Sequence, residues 1–218
     1  MTLRRAINIV LPVLLLCTLL GCQSAYYAAW QKLGYEKRDI LVSRVQKTAE
    51  AQTAAKEQFK TTLDQFKGIT HFNGGDLETE YNKLNADYEE CRSRADSVVN
   101  EIASVDKVAT AMFDEWNSEL SEYSDPKLKE SSQQKLTDSK ARYKQLLTVM
   151  VKSADSMTPV LSKFKDQVLY LKHNLNASAI ASLQGTSVEI DTNVQALIQE
   201  MDASINEAQA FIENLKKT

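Results

Sequence analysis

The sequence predicts an all-α fold, an elongated antiparallel helical bundle or coiled coil of three to four long helices. Three observations carry this expectation. Glycine and proline are scarce, 6 and 3 in 218 residues, and they sit as punctuation between long uninterrupted stretches. Those stretches are rich in Ala, Glu, Lys, Gln and Leu, all good helix formers, while alternating β-branched residues are nearly absent. Apolar residues recur instead at alternating spacings of four and three, a period of 3.5 that marks supercoiled helix packing.

The first helix is expected from about Tyr26 to Lys67, passing through Gly34, with Gly68 as its stop. Its stripe reads Leu41, Val45, Thr48, Gln52, Ala55, Phe59, Thr62 and Phe66. A loop through Asn73-Gly74-Gly75 follows, and Asp76 reads as an N-cap. The second helix, about Leu77 to Glu122, has the clearest pattern. Leu77, Tyr81, Leu84, Tyr88, Cys91, Ala95, Val98, Ile102, Val105, Ala109, Met112 and Trp116 alternate four and three without a break. Asp125 then reads as the next N-cap, with Pro126 at the first helical position.

The third stretch is expected from Lys127 to Gln184, with Leu136, Tyr143, Leu146, Met150, Met157, Val160, Phe164, Val168, Leu171 and Leu175 in its seam. Pro159 must kink or split it, because proline lacks the helical donor and clashes with the preceding turn. Gly185 reads as a stop, and Thr186-Ser187-Val188-Glu189 as the capping box of a last helix reaching Lys216. Val194, Leu197, Met201, Ile205, Ala208, Ile212 and Leu215 share one face of it. Short loops imply antiparallel neighbours. Polar residues in the seams, namely Thr48, Gln52, Thr62, Ser139 and Ser153, are of the kind that set register at a cost in stability, and they leave self-association open.

The N-terminus carries a separate signal. Arg4 and Arg5 precede an apolar run, Ile7 to Leu20, too short to remain as a membrane-spanning helix. It closes on Leu19-Leu20-Gly21-Cys22, which resembles a bacterial lipobox. The expected organisation is a lipoprotein signal peptide over residues 1–21 and a single all-helical coiled-coil domain over 22–218, with Cys22 lipidated. Gln23 follows the cysteine where Asp would redirect sorting, so the expected location is the outer membrane, lipid-anchored and facing the periplasm. Tyr26, Tyr27 and Trp30, with Lys32, Lys37 and Arg38 interleaved, are candidate anchors at the membrane interface, since such rings are stable at headgroup depth. Packing of the same rings inside the helical body is the equal alternative.

Charge and motifs exclude several functions. The formal net charge is −3, and loss of Arg4 and Arg5 makes the remainder more negative, which argues against nucleic-acid binding. His71 and His173 have no second histidine or cysteine at ligand spacing, so neither a metal nor a cofactor is expected. Nucleophile elbows and phosphate loops are absent, and no catalytic residue is assigned. Cys91 lies in the second seam and reads as a buried, inert thiol despite neighbouring Arg92 and Arg94. Lys172, His173, Asn174 and Asn176 cluster within about one turn and form a candidate partner contact, with a bend loosened by the asparagines as the plainer reading.

Three segments together point to a known family: Ala29 to Leu41, Phe72 to Leu84 around Gly74-Gly75-Asp76, and Asp166 to Gly185. Through them the chain resembles an uncharacterised proteobacterial lipoprotein family, domain of unknown function 2959 (DUF2959). The resemblance implies a Gram-negative host and an envelope location, and it implies no site residue. The function expected is that of a non-enzymatic, lipid-anchored periplasmic rod acting as an envelope scaffold or adaptor. Its partners would be membrane lipid through acylated Cys22 and an envelope protein. The alternatives are a lipid-binding or membrane-surface protein and an envelope enzyme with an unrecognised site near His173.

Overall fold

Four helices follow one another in the computed structural model, which describes residues 37–217: α1 (Lys37–Thr70), α2 (Leu77–Glu119), α3 (Pro126–His173) and α4 (Ala177–Lys217). At 1.5 Å per residue they are about 50 to 70 Å long. The described residues contain no strand. Local chemistry sets several of the boundaries. Asp76 caps α2, its carboxylate accepting from Glu78 N at 3.0 Å and from Thr79 Oγ1 at 2.6 Å. Asp125 caps α3 by accepting from Lys127 N at 2.8 Å, with Pro126 in the first turn, where no donor is needed. Gly74 and Gly75 take φ of 148° and 122° between α1 and α2, a region that side chains disfavour.

The helices pack as a closed ring, α1 on α2, α2 on α3, α3 on α4 and α4 back on α1. Every pair is antiparallel, because residue numbers fall along one helix as they rise along its neighbour. Gln65 Nε2 donates to Glu80 Oε2 at 2.8 Å near one end of α1, and Lys37 pairs with Glu115 at 2.8 Å near the other. Lys67–Asp191 at 2.6 Å and Lys56–Asp202 at 2.7 Å align α1 with α4. Lys163–Glu189 and Lys152–Glu200 align α3 with α4. Exposed pairs of this kind contribute little individually. They report a register that the core imposes. One end of the bundle therefore holds the start of α1, the α2–α3 turn and the end of α4. The far end holds the α1–α2 loop and the α3–α4 turn.

The core follows the 4–3 stripes. All eight expected α1 positions are buried, as are the α2 positions from Leu84 to Met112, with Leu77, Tyr81 and Trp116 half-buried at the ends. Three layers stand out along the axis. Phe113, Tyr143 and Phe211 meet as tilted rings at centroid distances of 5.6 and 6.3 Å, joining α2, α3 and α4. Phe59 and Phe66 of α1 meet Phe164 of α3 at 6.4 and 6.5 Å across the bundle diagonal. Between them lies a polar layer. Gln52 Nε2 donates to Ser204 Oγ at 2.9 Å and to Ser153 Oγ at 3.4 Å, all three side chains having 0% exposure. Gln52 Oε1 has no partner among the described residues.

Several sequence expectations are corrected. Gly68 does not stop the first helix; α1 continues to Thr70, because Ile69 and Thr70 are both buried and hold it in place. The second helix ends at Glu119, with Leu120 as C-cap, rather than at Glu122. The third stretch does not run to Gln184. It ends at His173, and α4 begins at Ala177 and passes through Gly185 and Thr186. Two asparagines cause the break. Asn174 Nδ2 donates to Tyr170 O at 2.9 Å, drawing the side chain onto the last turn, and Asn176 Oδ1 accepts from Ala179 N at 3.1 Å, capping the new helix. The expected capping box does not form, since Thr186 Oγ1 donates to Leu183 O within the helix at 3.0 Å. Ala179 and Leu183 extend the α4 stripe through Gly185 to Ile190, so the seam holds the helix where propensity would end it. Leu175 leaves the seam for the turn and is 40% exposed. Pro159 neither splits nor ends α3, which is anchored on both sides by Met157 and Val160, 1% and 2% exposed.

Two stability measurements test this description. A Cβ on Gly185 would meet nothing within 4 Å, so Gly185→Ala is expected to raise unfolding stability by about 0.5–1 kcal/mol in denaturant titrations. A left-handed stop at this position would give the opposite sign. Replacing Ser153 and Ser204 together by Ala strands the Gln52 amide and is expected to cost about 1–3 kcal/mol; adding Gln52→Leu restores the loss.

Candidate functional site

Cys22, Tyr26, Tyr27 and Trp30 lie outside the described residues. The remaining sequence candidates gather at the far end. Lys172 and His173 occupy the last turn of α3, Asn174 is its C-cap and Asn176 opens α4, so the four residues border a turn rather than share a helical face. The α3–α4 turn is compact, with Asn174 N donating to Leu171 O and Asn176 N to Asn174 O, both at 3.0 Å. Lys172 and His173 are exposed and make no hydrogen bond or ion pair with the described residues. The Lys172 ammonium suits the carbonyl-rich end of a helix. The asparagines are occupied in shaping the backbone.

The other histidine is held elsewhere at this end. The carbonyl of Lys67 accepts from His71 Nδ1 at 2.9 Å and from Thr70 Oγ1 at 2.8 Å, which closes the end of α1. Gln184 Nε2 donates to Thr70 O at 2.6 Å and ties α4 to the same turn. The backbone here is satisfied by side chains of its own loop and by α4. Among the described residues, no group of three His, Cys, Asp or Glu side chains is placed to hold a metal ion.

The titratable groups of the core are set for inertness. Cys91 has 0% exposure, and its Sγ lies 3.1 Å from Thr62 Oγ1. Burial pushes the thiol up to about 12, against a smaller lowering by the Thr62 hydrogen bond. Tyr143 donates to Asp106 Oδ1 at 2.7 Å, and burial, with this hydrogen bond to a carboxylate second, raises its phenol well above the ordinary value. Trp116 Nε1 donates to Ser132 Oγ at 2.8 Å. The Tyr143–Asp106 and Trp116–Ser132 pairs join α2 to α3. Ser132 and Asp106 were not legible as their members, because each partner is a tertiary neighbour with no sequence spacing to mark it.

Two surface depressions lie away from the far-end candidates. One runs along the exposed face of α3 from Lys144 to Pro159, with Val151 42% exposed. The other sits between α3 and α4, bordered by Lys135, Asp138, Arg142 and Asn214. Among the described residues, no helix is long and apolar enough to cross a membrane.

The helical body that these residues build is matched by a family model described as "Protein of unknown function (DUF2959)", over residues 26–215. The chain belongs to this family. Comparison with the curated proteins and with the solved structures returned no match. The match takes in all three segments that carried the resemblance, and its limits enclose α1 to α3 and nearly all of α4. For DUF2959 this chain gives a four-helix bundle whose core is apolar apart from seryl, threonyl and glutaminyl side chains.

Two outcomes follow from the state of Cys91. A bulky maleimide is expected to leave it unlabelled in the folded protein at neutral pH and to modify it only on unfolding. Because its folded value lies above 9.0, the thiol contributes stability that is complete below pH 9 and lost as pH rises from 9 through about 12. Wild type compared with Cys91→Val should show a stability difference that narrows across that window.

Proposed function

We propose that this DUF2959 protein is a non-enzymatic, lipid-anchored rod that acts as a scaffold or adaptor in the bacterial envelope. The anchor is Cys22, acylated after cleavage behind Gly21, and the location is the outer membrane on its periplasmic side. One observation carries the reading. The start of α1 and the two loops at 71–76 and 174–176 stand at opposite ends of a bundle whose shortest helix is about 50 Å long. A chain held through the residues before Lys37 presents those loops at a distance from its point of attachment. The lipobox-like Leu19-Leu20-Gly21-Cys22 supports the tether, and Gln23 supports outer-membrane sorting.

The partner is an envelope protein engaged by the far end, where Lys172, His173 and the α1–α2 loop are exposed. A continuous seam resists bending, so position is transmitted along the axis. This favours spacing over chemistry as the role of the body.

Two measurements test the proposal. Alkyne-palmitate labelling with membrane fractionation is expected to label wild type and leave Cys22→Ser unlabelled; persistent labelling of the variant removes the anchor. A photo-crosslinker at Asn73 is expected to capture one reproducible envelope protein in cells, and a probe at the outward-facing Val99 is expected not to. Equal capture from both positions would refute the far-end assignment.

A further inference from the structure

Near the end of the bundle where α1 starts, α3 and α4 enclose a half-open groove of ≈ 260 Å³. Its apolar floor is Phe211 and Leu215, 3% and 6% exposed. Lys135 and Arg142 stand on one wall, two helical turns apart and therefore on the same face of α3. Both are exposed, and neither forms an ion pair with the described residues. Asp138 lies between them, one turn from each, yet its carboxylate accepts from Gln134 Nε2 at 3.0 Å. Asn214 supplies a polar side chain on the opposite wall.

The charge on the α3 wall of this groove departs from the rest of the chain. The protein is acidic overall, with formal net charge −3. The first half of α3 nevertheless carries Lys127, Lys129, Lys135, Lys140, Arg142 and Lys144 against only Glu130 and Asp138. Two cations over an apolar floor match an amphiphilic anion. Guanidinium offers a fork of donors to phosphate oxygens, and ammonium supplies a second positive charge.

We propose that the α3–α4 groove binds a phosphate group, with Arg142 and Lys135 as its cationic ligands and Phe211 and Leu215 receiving the apolar part of the molecule that bears it. A phospholipid headgroup is the source assigned. That choice of source rests on the tethered reading, which brings this end of the bundle towards the bilayer; the anion site itself does not.

Phosphorus NMR titration of the full-length chain in non-ionic detergent tests the site. The probes are dihexanoyl phosphatidylglycerol, dihexanoyl phosphatidylcholine and inorganic phosphate. Wild type is expected to bind the phosphatidylglycerol saturably and in preference to the other two. Lys135→Glu with Arg142→Glu should weaken this by about ten-fold or more. Asp138→Asn should tighten it by about two- to three-fold, because it removes a carboxylate from between the two cations. Circular dichroism should show unchanged helix content in each variant, since all three side chains are exposed. Equal, variant-sensitive binding of inorganic phosphate would overturn the lipid assignment and uphold a free-phosphate site. Binding indifferent to all three substitutions, or no binding, would overturn the groove as a phosphate site. Failure of the anchor would show separately, in the labelling of Cys22→Ser.

Discussion

Each helix in this protein can bury only one lengthwise stripe of side chains, and everything else in the structure depends on bringing four such stripes together. The stripe on α3 is the narrowest. Leu136, Tyr143, Leu146, Met150, Met157, Val160, Phe164, Val168 and Leu171 are buried, while most intervening residues face outward. An isolated helix with this pattern leaves its apolar seam in water, and its stability comes from packing rather than from backbone propensity. The closed ring of α1, α2, α3 and α4 gives every stripe two flanking neighbours and a common axis. That requirement keeps α3 continuous through Pro159 and α4 continuous through Gly185.

Within this apolar frame the polar residues decide which packing is adopted. A 4–3 stripe alone is compatible with sliding by a heptad, because the same spacing recurs. Gln52 removes much of that freedom, since its buried amide finds hydroxyls on both α3 and α4 only at Ser153 and Ser204. Tyr143 with Asp106 and Trp116 with Ser132 act in the same way between α2 and α3. Such contacts are modest in net energy, and leaving a buried member unpaired is costly. Their main effect is therefore on register. The aromatic layers to either side supply the larger apolar burial.

The distribution of chemistry follows from this arrangement. Reactive groups that enter the core are silenced: burial raises the Cys91 thiol and the Tyr143 phenol, and both are hydrogen-bonded to neighbouring helices. Groups free to meet a partner are confined to the ends and to the outer faces. The far end offers loops and the exposed Lys172 and His173, and the end where α1 starts offers a groove walled by Lys135 and Arg142 over an apolar floor. An elongated body with distinct ends separates these two regions.

The sequence by itself determined the class of fold, the seams and several of the ends. The 3.5-residue period is a local property, written in the spacing of Leu84, Tyr88, Cys91 and their successors, so it survives without knowledge of neighbours. Caps are equally local, and Asp76 and Asp125 act where their side chains alone place them. Cys91 was legible as a buried thiol for the same reason, from its phase in the stripe. The boundary between α3 and α4 was not. Gly185 and the Thr186–Glu189 pattern favour a break by propensity, but Ala179, Leu183 and Ile190 stay in phase with the core, and burial outweighs the roughly 1 kcal/mol that glycine costs a helix. Asn174 and Asn176, read in the plainer alternative as loosening a bend beside Lys172 and His173, go further and end one helix and cap the next. Ser204 as the partner of Gln52, and Lys135 and Arg142 as the wall of a groove with Phe211, required the tertiary structure. Such pairings join residues far apart in the chain, and only the packing of four helices into one register brings them within reach.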